Sequence, residues 1–207
     1  MNRGNEFWID IWTLVFVMFY HAMHRGKIMN KIKYLKGKTA SEILKDTGQE
    51  NSIPVDLRAI LHKLEISAIS MDFSEIEEIL CDQVKKRGRI LGAVMTTHDD
   101  AAIFYSNDQE LMSNHRYRFT IAHELAHCCL GSDLNHVEFR HDGSFDEAGE
   151  REANIFAGEL LIPLPQLERV SKELLLPTIT NLAAVFEVSE TVMAARIEYL
   201  NRSDLHI

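Results

Sequence analysis

The sequence predicts an α+β domain, and three observations support this fold class. Runs of apolar and β-branched residues at 66–71, 90–97 and 101–106 predict a small antiparallel sheet, with a hairpin between the last two runs. Apolar residues then recur at helical spacing, above all between Arg116 and Leu130, a stretch without Pro or Gly. A C-terminal helical segment, residues 165–207, ends in two short helices that look like a helix-turn-helix.

Three further helices and one long loop complete the predicted domain, which we place at residues 39–207. Helical patterns run from Thr39 to Asp46, from Leu57 to Leu64 and from Phe73 to Lys86. The mainly polar residues from Ser132 to Gly149 indicate a loop.

The first 38 residues differ from the rest, and we predict an N-terminal extension at 1–38. Its apolar run, Ile11 to Tyr20, is shorter than the roughly 20 residues that cross a membrane, and it lacks the features of a signal peptide. Membrane association through residues 9–23 is an alternative that we do not favour over a docked apolar helix or an upstream translation start.

The composition excludes some classes of function. Apolar residues make up 46% of the 207 residues and charged residues 26%, which is ordinary for a globular protein with a sizeable core. A net charge of −9 argues against general nucleic-acid binding, because neutralising phosphates needs a basic surface. Three cysteines, two of them adjacent, do not make a disulfide framework, so we expect a cytoplasmic protein.

The helix from Arg116 to Leu130 contains the pattern H-E-x-x-H. His123 and His127 lie one turn apart on one helix face, so both imidazoles can reach a single Zn²⁺. Glu124 lies about 100° around the helix and can act as general base on a metal-bound water. Apolar neighbours carry the motif into a core, where three ionisable residues are costly unless a partner such as a metal offsets the cost.

A catalytic zinc normally has three protein ligands, so the sequence should contain a third. Asp133, His136 and His141 follow the motif closely in the polar loop. The other candidate is an acid in the first turn of the next helix, Glu150 to Pro163, whose apolar face can pack on the motif helix. Residue chemistry alone leaves these alternatives open.

Two motifs in this order are similar to those of a known family. RFTIAHELAH, followed by REANIFAGELLIP, resembles the ImmA/IrrE family of zinc metallo-endopeptidases. PVDLRAILHKL and LAAVFEVSETVMAARIEYL resemble the family's N-terminal helix and its closing helix-turn-helix-like segment, so the resemblance runs from Thr39 to Leu200. It implies a zincin-like fold of the gluzincin type that binds one Zn²⁺, although another divalent ion such as manganese can replace zinc in a cell.

The resemblance also implies a role for each matching residue. His123 and His127 match the two histidine ligands, and Glu124 matches the general base. Glu152 matches the glutamate that serves as third ligand, with Glu150 as the fallback. The other candidates then leave the ligand set: Asp133, His136 and His141.

The family is associated with cleaving helix-turn-helix repressors that are often encoded next to it. We therefore expect a zinc endopeptidase whose substrate is a helix-turn-helix repressor or antitoxin-like regulator encoded nearby. The alternative is a non-catalytic protein that binds its partner through a peptidase-like fold, although such a protein has no need of Glu124. We do not expect direct DNA binding, because residues 178–207 carry more acids than bases.

The oxyanion formed during peptide hydrolysis needs a donor besides the metal. The sequence offers four candidates and does not choose among them: His115, Tyr117, Arg118 and His141. We expect Arg116 and Arg118 to form structural ion pairs at the start of the motif helix. Cys128 and Cys129 directly follow the last motif residue and point away from the ligand face, so we expect them to be packing residues.

Overall fold

The computed structural model describes residues 31–97, 100–131, 136–142 and 148–202. Within these ranges, helices and a small four-stranded sheet form an α+β fold, which confirms the predicted class. In chain order the elements are α1 Lys31–Leu35, α2 Ala40–Thr47, α3 Leu57–Leu64, β1 Ser67–Met71, α4 Ser74–Ile79, α5 Cys81–Arg87, β2 Ile90–Thr96, β3 Ala101–Ser106, α6 Asn114–Leu130, β4 His136–His141, α7 Ala148–Leu161, α8 Leu164–Glu173, α9 Ile179–Phe186 and α10 Glu190–Arg202.

The sheet has the strand order β1-β3-β2-β4 and is mixed. Strand β2 pairs antiparallel with both β3 and β4, but β1 pairs parallel with β3. The prediction of an antiparallel sheet is therefore wrong for one pair. The reason is that α4 and α5 separate β1 from the β2–β3 hairpin, and this hairpin turns β3 back into the direction of β1.

Strand β4 is the second departure from the sequence prediction, which placed a polar loop from Ser132 to Gly149. His136–His141 pairs with β2 at the edge of the sheet, with Glu138 opposite Val94. Val137 and Phe139 alternate with polar residues, which is the pattern of a half-buried strand, so the sequence carried a signal for β4 that the loop prediction overlooked.

Both faces of the central strands are buried. On one face, apolar residues of α4 and of the turn before it pack on β2 and β3, including Phe73 and Ile76. On the other face lies a larger core to which α6, α7 and the C-terminal helices contribute. The predicted helix from Phe73 to Lys86 is divided at Leu80 into α4 and α5.

Helix α6 carries the H-E-x-x-H motif and lies against β2, β3 and α7. The helix begins after Ser113 and ends at Gly131, which adopts the left-handed conformation with φ 88°. The backbone N–H of Gly131 donates a hydrogen bond to the carbonyl of His127. The thiols of Cys128 and Cys129 are buried and free, and burial raises the pKa of each. These side chains therefore pack in the core, as expected.

The two arginines at the start of α6 form the expected ion pairs. Arg116 contacts the carboxylate of Asp142. Arg118 lies 3.6 Å from a carboxylate oxygen of Glu187, and its Nη2 donates to the carbonyl of Val55. These contacts connect the first turn of α6 to the residue after β4 and to the turn between α9 and α10.

The C-terminal helices pack onto the same core through Leu167, Phe186 and Met193, which are fully buried. Residues 187–189 join α9 to α10, and the likeness of these two helices to a helix-turn-helix stays a prediction. Before the predicted domain start, Ile32 and Leu35 of α1 are also buried in this core. Residues 9–23 lie outside the described ranges. Among the helices that are described, none is long and apolar enough to cross a membrane.

Candidate metal centre and active site

Three side chains converge between α6 and α7. The Nε2 atoms of His123 and His127 are 3.0 Å apart. One carboxylate oxygen of Glu150 lies 3.3 Å from the Nε2 of His123, and the other lies 3.5 Å from the Nε2 of His127. One ligand atom from each of the three residues lies within 4.8 Å of the others, and this is the group in the described part of the chain that could hold a metal ion.

The third member of this group is Glu150, whereas the resemblance to the family indicated Glu152. Glu152 lies two residues further along α7 and is exposed, so its carboxylate is not part of the cluster. The assignment of Glu152 is therefore corrected to Glu150, the fallback. The physical reason is helix geometry, because two residues correspond to about 200° around a helix and place the two acids on different faces.

The sequence contains a signal that favours Glu150. Ala153 and Ala157 of α7 are fully buried, and this helix packs on α6. Glu150 lies three residues before the first and seven before the second, so the three residues share one face of the helix. The apolar stripe of α7 therefore points to Glu150, and the family motif alone did not.

Two further residues orient the imidazoles. Asn154 Oδ1 lies 3.0 Å from the Nδ1 of His123, and Glu138 Oε2 lies 3.2 Å from the Nδ1 of His127. An acceptor at each Nδ1 places the ring proton on that atom, so each Nε2 presents a lone pair to the cluster. The sequence analysis missed both Asn154 and Glu138. Asn154 belongs to the motif REANIFAGELLIP and lies one helical turn after Glu150, so its place near the site could have been predicted.

This donor set fits a divalent cation. Two imidazole lone pairs and a carboxylate face one another in a largely buried space, and none of these atoms can donate to the others in the tautomers described. Burial lowers the pKa of His123 to about 4, which keeps its ring neutral. Although burial opposes it, contact with the two imidazoles holds the pKa of Glu150 well below its usual range. Although burial opposes it, the neighbouring carboxylates raise the pKa of His127, so a cation that binds this ring takes the place of a proton. Two neutral imidazoles and one ionised carboxylate are a usual ligand set for zinc.

Glu124 is fully buried beside this cluster. Neither of its carboxylate oxygens has a hydrogen-bond partner among the described residues, and burial raises the pKa of the side chain to about 8. Gly92 of β2 makes room for it, because a Cβ at this position would lie 3.2 Å from Glu124 Oε1 and 2.5 Å from Thr120 Cγ2. A buried carboxylate without partners is costly, so the fold retains here a group that can exchange a proton.

Arg140 of β4 is a site residue that the sequence analysis missed. Its guanidinium carbon lies 5.0 Å from the ring centroid of Phe119, one turn before His123. Its charge acts on Glu124 and Glu150, and burial lowers the pKa of Arg140 itself. The signal was hidden because the strand that positions Arg140 was not predicted.

Among the other predicted residues that the structure describes, none joins the cluster. Asp133 and the side chain of His136 lie outside what the structure describes. His141 is buried, with its Nδ1 2.9 Å from the carbonyl oxygen of Gly88, and His115 is exposed. The other two candidate donors line a separate cavity of about 590 Å³ between α3, β1 and α6: Tyr117 and Arg118.

A second, mainly apolar cavity lies next to the candidate metal centre. It measures about 360 Å³, and its wall includes Phe119 and Asn154, which adjoin His123. Val192 and Tyr199 of α10 form the opposite side. The C-terminal segment thus lines a space beside the site, in agreement with a role in shaping it.

Comparison with known proteins identifies a family whose sequence pattern this chain shares. A peptidase family model described as the IrrE N-terminal-like domain matches residues 96–198. The matched range begins in β2 and ends within α10, so it contains both imidazoles, Glu124, Arg140 and Glu150. None of the curated proteins searched matches the chain.

Proposed function

Because the chain belongs to the ImmA/IrrE family of metallopeptidases, we propose that it is a cytoplasmic zinc endopeptidase that cleaves a helix-turn-helix repressor or antitoxin-like regulator encoded nearby. The observation that carries this proposal is the convergence of His123, His127 and Glu150 beside the buried, unpartnered Glu124. A protein that only binds a partner gains nothing from a buried carboxylate at this position, whereas a hydrolase needs a base there.

In this mechanism His123, His127 and Glu150 hold the ion, and Asn154 and Glu138 keep the two imidazoles in the ligating tautomer. When bound, zinc lowers the pKa of a water molecule and polarises a carbonyl group. Glu124 accepts the proton of the attacking water on its carboxylate and delivers it to the leaving amide nitrogen. The apolar surroundings that raise the pKa of Glu124 make it a stronger base than an exposed carboxylate.

The proposed substrate follows from the family and not from the geometry of the site. We propose that the C-terminal helices serve the peptidase domain and do not bind DNA, since α10 lines the cavity beside His123. Residues 178–207 also carry more acids than bases, which opposes contact with phosphates.

Co-expression tests the function directly. The wild-type chain is expected to clip a helix-turn-helix protein encoded next to it, while Glu124→Gln leaves the partner intact although its zinc content is unchanged. The reason is that glutamine preserves the shape of the side chain but cannot take a proton. The readout is the partner's intact mass and fragment masses, measured beside zinc content per protein. If the wild type and Glu124→Gln cleaved the partner equally, or if neither cleaved it, the proposed peptidase function would be rejected. A protein that only binds its partner would then be favoured.

The orienting role of Asn154 gives a second prediction. Asn154→Ala is expected to weaken zinc binding by about 10-fold, because His123 loses the acceptor that fixes its tautomer. Competition with a chelator of known affinity measures this change. Asn201→Ala, at an exposed position of α10, is the matched control and should bind zinc as the wild type does. Equal affinities for the two variants would assign Asn154 no part in the metal centre.

A further inference from the structure

We propose that Arg140 is the donor that binds the oxyanion formed when the peptide carbonyl is attacked. This assignment rests on the proposed peptidase function and adds to it a residue that touches the substrate. It answers a question that the sequence left open among four other side chains.

Strand geometry directs Arg140 toward the site. Glu138 and Arg140 are two residues apart on β4, so their side chains leave the same face of the sheet. Glu138 contacts the Nδ1 of His127, and Arg140 lies over the ring of Phe119 on α6. Phe139, between them, packs with the core on the opposite face. Arg140 is thus held against the helix that carries the motif.

The hydrogen-bonding groups of Arg140 are incomplete. Its Nε and Nη1 atoms are buried and have no acceptor anywhere in the described part of the chain. A buried charged donor without a partner costs free energy, and such groups are rare in folded proteins unless a ligand completes them. The site therefore lacks an acceptor next to this guanidinium.

The carboxylates nearby do not supply that acceptor. Both oxygens of Glu124 are themselves without partners among the described residues, and Glu150 lies against the two imidazoles. A guanidinium has no lone pair to offer a metal, so Arg140 is not a ligand. What suits it is an oxygen that gains negative charge beside the cluster, because a charge-assisted hydrogen bond from a buried N–H group stabilises such an oxygen.

The four candidates from the sequence are less well placed. His115 is exposed, and His141 is committed to the carbonyl of Gly88. Tyr117 and Arg118 line the separate cavity toward α3. Among these five side chains, Arg140 is the half-buried cation that combines buried N–H groups without an acceptor with a position beside His123.

Binding of a tetrahedral anion tests the assignment without knowledge of the substrate. Inorganic phosphate is titrated into zinc-loaded wild type, Arg140→Met and Arg140→Lys by calorimetry, with imidazole as a neutral probe of the same metal. We expect Arg140→Met to bind phosphate at least about 10-fold more weakly, and imidazole equally well, since only the charge-assisted bonds are lost. Arg140→Lys should lie between, because it keeps the charge without the planar fork.

The control is Arg169→Met, at an exposed position of α8, which should bind phosphate as the wild type does. The proposal is overturned if the wild type does not bind phosphate, or if Arg140→Met binds it as tightly as the wild type. It is also overturned if Arg140→Met loses zinc or weakens imidazole equally, because the residue would then be structural. Since no cleavage is measured, failure of the peptidase function would be seen separately, in the co-expression assay.

Discussion

Glu150→Gln is expected to lower zinc affinity by more than about 100-fold, whereas Glu152→Gln leaves it unchanged. The cluster offers two neutral imidazoles and one carboxylate, so removing the carboxylate removes its only negative ligand. The loss should exceed the 10–100-fold typical of residues that merely orient a ligand. Zinc content after dialysis and competition with a chelator measure the effect, and peptidase activity should fall with the metal.

Glu152→Gln is a closely matched control, because it is the same substitution on the same helix, two residues away and exposed. If Glu152→Gln lost the zinc and Glu150→Gln kept it, α7 would have to present its other face to α6. If neither variant lost zinc, the third ligand would lie elsewhere, with Asp133 and His136 as the remaining candidates from the sequence.

Without metal, Glu124→Gln is expected to be more stable than the wild type at pH 8, by on the order of 4 kcal/mol as an upper value. The pKa of Glu124 is raised from 4.5 to about 8 in the folded protein, with burial as the first cause. The contribution of this carboxyl group to the free energy of unfolding is therefore fully present below pH 4.5 and is lost as pH rises toward 8. The loss arises because the unfolded chain ionises the group freely over this range, whereas the folded protein resists its ionisation. Glutamine does not ionise and escapes this loss.

Urea unfolding in the presence of a chelator, at pH 6 and pH 8, tests this expectation. The stability difference between Glu124→Gln and the wild type should grow by on the order of 2 kcal/mol between the two pH values. Glu152→Gln, which replaces an exposed carboxylate, should keep the same difference from the wild type at both. A difference for Glu124→Gln that does not change with pH would show that its carboxylate ionises freely in the folded protein.

Stabilisation by Glu124→Gln would also show that the proposed catalytic base is kept at a cost in stability. The fold keeps Glu124 between α6 and Gly92 at a cost in stability of the metal-free protein. A nearby divalent cation favours the ionised carboxylate, so metal binding offsets part of this cost. We expect metal binding and folding to be coupled in this protein.

The sequence by itself determined the motif helix, because the information for it is local. Helical periodicity, the absence of Pro and Gly, and Gly131 at the end define α6, and the spacing of His123 and His127 places both imidazoles on one face. The same locality explains why the β2–β3 hairpin was predicted from two β-rich runs and the turn between them. The resemblance to the family was likewise readable without a structure, and the family match at residues 96–198 covers both RFTIAHELAH and REANIFAGELLIP.

Only the tertiary structure decided what lies opposite that helix. The rotation of α7 against α6 selects Glu150 over Glu152, and this rotation depends on which side chains of the two helices pack together. The pairing of β4 with β2 brings Glu138 and Arg140 to the site, and the alternation of Val137 and Phe139 does not specify which strand β4 pairs with. Local periodicity reports which way a side chain points within its own element. The partners of that side chain depend on how distant elements pack, and the energy of that packing is not local.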